Sequence, residues 1–199
     1  MTELRENPSL ESVVDADDDD VGHLLAALAS ETRRAERADL AHRLVGAVAT
    51  HDAVVAEALI PLLRRLAGGT PVAAEMAAGC ADRERTTTEI HSIIANVQPR
   101  DVYLAGGDRL EAALSEMAVS FEHHHDIEVP KAVEVLDAAQ VPAGEIVAAL
   151  ARARHWAPTR PHHGPLAHRR ATAAKALLHF LDRRLDHWDH REGWSLDGS

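Results

Sequence analysis

The chain has 199 residues, 46% of them hydrophobic but only 3% aromatic, with a formal net charge of −11 and a pI near 5.6. That length suits one domain with extensions, the scarcity of Tyr, Phe and Trp disfavours a β-rich fold, and the acidic balance argues against nucleic acid as a partner. Cys80 is the single cysteine, so neither an intramolecular disulfide nor a cysteine-based zinc cluster can be built.

Residues 1–12 are polar, contain Pro8 and read as a flexible lead-in. The acidic start carries no hydrophobic signal segment, and no run approaches the roughly 20 apolar residues that span a bilayer. The expected location is therefore cytoplasmic, without a membrane partner. Helical periodicity then recurs four times. Val14, Val21, Leu25 and Leu28 mark a first amphipathic helix. Leu40, Leu44, Val48, Val55, Leu59, Leu63 and Leu66 mark a long second one. Gly68-Gly69-Thr70-Pro71 is a stop followed by a new start. Met76, Cys80, Thr87, Ile90, Ile94 and Val97 form a third stripe, ended near Gln98-Pro99. Asp108 is a candidate N-cap for a fourth helix carrying Leu110, Leu114, Met117 and Phe121.

Four amphipathic helices with short connections predict an all-α, up-down-up-down four-helix bundle over residues 13–140. Residues 141–199 form a helical extension. It holds a helix from Gly144 to about His155, a Pro- and His-rich loop from Ala157 to Pro165, and a last amphipathic helix. That helix, with Leu177, Leu178, Leu181, Leu185 and Trp188 on one side, is a candidate contact for a homo-oligomer.

Most of the 14 histidines fall on polar faces or in the C-terminal loop, where His162, His163 and His168 could gather metal loosely. His51, however, interrupts the apolar stripe of the second helix, and His124 and Glu128 continue that of the fourth. At i and i+4 the latter two share a face. Imidazole and carboxylate in a bundle interior need a partner, and together they suit iron, manganese or zinc. The alternatives are an internal His–Glu hydrogen bond, or a helix that frays before Pro130. Asp18 lies near the stripe of the first helix and Glu84 on the third, and both are further ligand candidates. Either also suits a solvated face. No Ser-His-Asp spacing or phosphate-binding glycine motif is present, and Cys80 reads as a small core residue.

The segment from His51 to Leu63, with His51 and Pro61 in register, resembles the hemerythrin HHE cation-binding family. So do Asp17 to Leu25, Thr86 to Ile90 and the stretch from Leu110 to Lys131. The resemblance covers about residues 13–188. It implies a non-haem iron centre, mono- or dinuclear, that handles oxygen, peroxide or metal, with ligands drawn from His51, His124, Glu128, Asp18 and Glu84. Against the family pattern, Asp18 replaces the opening His, Val55 the Glu after His51, and Thr87 the third-helix His. On the fourth helix the pattern's His falls at Ser120 and its Glu at His124 when registered by the preceding helix; registered on His124 and Glu128 instead, the motif is intact but Pro130 arrives too early. With Ser120 level with His51, His124 should lie about one turn away along the bundle. The two functional expectations are a hemerythrin-like protein with a remodelled iron site, its partner a small oxidant, or a metal-free bundle acting as an interaction or regulatory module.

Overall fold

The computed structural model describes residues 18–96 and 107–157, and within them all regular structure is helical. The lead-in at 1–12, Val14, Val97, the Pro- and His-rich loop and the last amphipathic helix lie outside the described residues. In chain order the described helices are α1 (Asp18–Ser30), α2 (34–63), α3 (Gly69–Asn96), α4 (107–138) and α5 (Ala143–His155).

The reversal from α1 to α2 is tied by Glu31, whose carboxylate accepts from the Arg33 backbone N–H at 2.8 Å and from its guanidinium at 3.1 and 2.9 Å. Between α2 and α3, Gly68 takes a left-handed φ of 77° that suits glycine. A Cβ on Gly69 would stand 2.1 Å from the Leu63 carbonyl oxygen. The Gly-Gly pair is thus required by the close return of the chain, as its sequence predicts. Helix α4 begins at Gly107, which puts Asp108 inside the first turn rather than at the cap. After α4, Gln140 adopts φ 53° and the Val141 N–H returns to the Leu136 carbonyl at 3.0 Å, satisfying a terminal carbonyl before α5.

Helices α2 and α4 share an irregularity. Each is α-helical, widens into a π turn, and resumes as α-helix: Val55–Leu59 in α2 and His124–Glu128 in α4. The Ile60 N–H reaches back five residues to the Val55 carbonyl, and the Val129 N–H to that of His124. The next residue is proline in both, Pro61 and Pro130. Proline lacks an N–H and crowds the carbonyl four residues earlier, and a turn widened by one residue relieves both problems. Helix α4 therefore does not fray before Pro130; it passes through it.

Helix α1 packs on α2, α2 on α3, and α3 on α4, while α4 also meets α1. Helix α5 lies along α2, mostly against its π turn. Two apolar clusters result. One includes Val21, Leu44, Val48, Ile90, Met117 and Phe121; the other includes Val55, Leu59, Met76, Val129, Leu136 and Ile146 of α5. Residues 36–63 are long and apolar enough to cross a membrane by length and composition, contrary to the sequence expectation. Yet 56% of the most apolar window is buried inside the protein, where it supplies both clusters.

Candidate functional site

On each of the three long helices the two apolar clusters are separated by a short polar interval. His51 and Asp52 fall between Val48 and Val55; Arg83, Thr86 and Thr87 between Met76 and Ile90; His124 and Glu128 between Phe121 and Val129. All seven are buried. These side chains form a charged layer across the interior, with greasy packing above and below it.

The layer is organised around Arg83, which is 0% exposed. Its Nε and Nη2 donate to Asp52 Oδ1 at 2.9 and 2.8 Å, and its Nη1 faces Glu128 Oε2 at 3.9 Å. Glu128 Oε2 accepts from His124 Nδ1 at 2.6 Å, and Asp52 Oδ1 accepts from His51 Nδ1 at 3.1 Å. The circuit closes through the imidazoles: the rings of His51 and His124 meet edge-on with centroids 4.9 Å apart. The one-turn offset expected between these histidines is thus bridged by their side chains.

Glu128 fits because Gly79 of α3 lies opposite. A Cβ there would stand 2.5 Å from Glu128 Oε1. Burial by itself pushes the Asp52 carboxyl up, but the His51 hydrogen bond and the Arg83 charge more than offset it and hold Asp52 below its ordinary range. Burial likewise works against the Arg83 charge, and Asp52 and Glu128 outweigh it, so the guanidinium stays protonated. Cys80, whose Sγ receives Arg83 Nη2 at 3.5 Å, has its thiol pushed well above the ordinary range by burial and then by the Asp52 charge. It is not poised as a thiolate nucleophile.

Of the candidates read from the sequence, His51, His124 and Glu128 come together. Glu84 is only half-buried and stands apart from the buried polar set; its carbonyl accepts the Thr88 hydroxyl at 2.7 Å. Asp18 opens α1, and its side chain lies outside the described structure. The sequence reading missed Arg83 and gave Asp52 no role of its own. The third-helix stripe runs Met76, Cys80, then Thr87, and position 83 is the missing turn between the last two.

A metal centre does not fit this arrangement as it stands. The position between the Asp52 and Glu128 carboxylates is filled by a guanidinium, and among the described residues no three His, Cys, Asp or Glu side chains are gathered to hold an ion.

Outside the layer, a surface cleft of about 360 Å³ lies between α1 and α4, lined by Asp19, His23, Phe121, Glu122 and His125 among others. Phe121 is its inner wall, because the same ring packs against His51 at 5.3 Å and His124 at 5.9 Å. Comparison of the chain with family models, with curated proteins and with solved structures gives no match.

Proposed function

We propose that this chain is a hemerythrin-like, up-down-up-down helical bundle that works without metal, as an interaction or regulatory module. The observation that carries this reading is the fully buried Arg83 between Asp52 and Glu128. A charge taken out of water must be compensated, and here the compensating cation comes from the chain itself. The buried imidazoles are engaged with carboxylates, and the one cysteine is held as a thiol, so the interior offers structure rather than an open reactive centre. The contact surface would be the last amphipathic stretch, with Leu178, Leu181 and Leu185 on one side.

The test has two parts. Protein purified from iron-supplemented cells is expected to carry far less than one metal per chain, with no loss of helicity in chelator. Sedimentation velocity is expected to show an assembly that Leu181→Asp weakens. Near-stoichiometric iron that disappears in His51→Ala would overturn the reading in favour of a remodelled iron site, for which the contact between the buried His51 and His124 rings is the supporting observation.

A further inference from the structure

Four surface carboxylates of α3 and α4 are answered by basic side chains of the protein. Arg37 pairs with Glu111, Arg85 with Glu116 at 3.6 Å, Arg109 with Glu89 at 3.0 Å and Lys131 with Glu75 at 2.7 Å. The cleft between α1 and α4 is different. Helix α1 contains no lysine or arginine, and neither does α4 from Leu110 to Pro130. The basic residues flanking that stretch, Arg109 and Lys131, are drawn to carboxylates of α3. Asp19 and Glu122 line the cleft from its two helices and have no ion-pair partner among the described residues.

Below these carboxylates the floor is apolar, made by Leu25, Ala118 and Phe121. Gly22 keeps it open. It lies inside α1, where glycine is a weaker helix former than alanine. Its φ is not left-handed, and a Cβ there would meet nothing within 4 Å. Among the described residues no close approach requires this glycine; its missing side chain leaves room in the cleft. The volume of about 360 Å³ lies in the range of small-molecule sites, which begin at roughly 300 Å³. A bare metal ion would leave the floor unused, and among the described residues no three His, Cys, Asp or Glu side chains are gathered to hold one. Carboxylates on the walls and an apolar floor are instead the complement of an organic cation.

We propose that this cleft binds a small aromatic ammonium ion, its positive end held by the Asp19 and Glu122 carboxylates and its ring against Leu25 and Phe121. Acidic walls without a competing lysine or arginine concentrate cations. An exposed charge pair holds little by itself, so the apolar body supplies the rest of the affinity. The inference goes beyond the metal-free reading and does not depend on it: metal content tests that reading, and ammonium binding tests this one.

The probe is phenethylammonium, titrated into the full-length chain at pH 7 and constant ionic strength and followed by ¹H–¹⁵N NMR. Saturable shifts are expected at the amides of Gly22, His23, Ala118 and Glu122. The dissociation constant should rise about tenfold in Asp19→Asn/Glu122→Gln, the worth of two exposed charge contacts. The neutral counterpart 2-phenylethanol should bind more weakly than the ammonium by a similar factor. Gly22→Leu, which fills the cleft, should abolish the shifts without lowering the melting temperature. The charge variants sit at exposed positions, so they keep the test independent of whether Gly22→Leu folds. Equal binding of 2-phenylethanol would reveal a merely apolar patch, and equal binding of ethylammonium a diffuse acidic field. Either result would overturn the proposal, as would shifts that do not saturate or that a folded Gly22→Leu leaves unchanged.

Discussion

The π turns of α2 and α4 solve the same backbone problem with opposite contents. Both widen the helix just ahead of an X-Pro pair, Ile60-Pro61 and Val129-Pro130. In α2 the turn buries Val55, Ala58 and Leu59; in α4 it buries His124 and Glu128. Proline thus sets the geometry, and the residues inside the turn set the chemistry. The apolar turn can be covered by anything of the right shape, and α5 lies against it. The polar turn must be answered charge for charge, and Arg83 and Gly79 of α3 answer it.

The largest expected effect comes from removing that answer. Arg83→Met should cost about 3–5 kcal/mol in urea unfolding, because it leaves buried carboxylates uncompensated. Combined with Asp52→Asn, the loss should fall short of the sum by about 0.5–3 kcal/mol, the coupling expected within one network. Additive losses would mean that the two side chains do not share a charge contact.

Gly79→Ala separates the turns by sign. In the native background the new Cβ pushes Glu128 off His124, at a cost of roughly 1–3 kcal/mol. In a Glu128→Ala background the obstruction is gone, and the exchange should instead stabilise by up to about 1 kcal/mol through helix propensity. A loss of equal size in both backgrounds would place the crowding elsewhere.

Acid should act on the polar layer and spare the apolar turn. The Asp52 carboxyl is lowered from its ordinary 3.8 in the folded chain. Its contribution is therefore complete above that value and disappears as pH falls below it towards the folded value. Unfolding midpoints measured from pH 5 to pH 2 should fall more steeply for wild type than for Asp52→Asn, which starts from lower stability at pH 7. Parallel curves would remove Asp52 from the acid response.

The smallest effects belong to the prolines. Pro61→Ala should cost no more than about 0.4–1 kcal/mol, through the freer unfolded chain. Pro130→Ala should cost more, because a turn that relaxes to α-helix rotates Glu128 away from Arg83. Equal losses in chemical denaturation would show that the contents of the turns do not depend on their geometry.

Much of this was legible in the sequence. The helices follow from the spacing of Leu44, Val48, Met76, Ile90, Leu114 and Met117, and His51, His124 and Glu128 stand out because each takes a place on an apolar stripe. Arg83 was hidden by its own type: arginine is ordinarily a surface residue, and Glu84 beside it drew attention because a carboxylate is a metal ligand. Yet Met76, Cys80, Arg83, Thr87 and Ile90 step by four, three, four and three, the helical spacing of a single face. The π turns left one mark in the sequence, the proline just beyond each, Pro61 and Pro130, which has no N–H to give and favours a widened turn before it. Gly79 could not be read at all, since its role depends on a side chain 49 positions further along the chain.

A hydrogen-bonded guanidinium lies buried among the described helices, and the Arg83 Nε–H reports on it directly. In ¹⁵N-edited NMR of the full chain at pH 8, the account predicts one arginine Nε–H resonance that exchanges slowly with water, persists in chelator and vanishes in Arg83→Lys. An Arg83 Nε–H exchanging as fast as those of the surface arginines would contradict it.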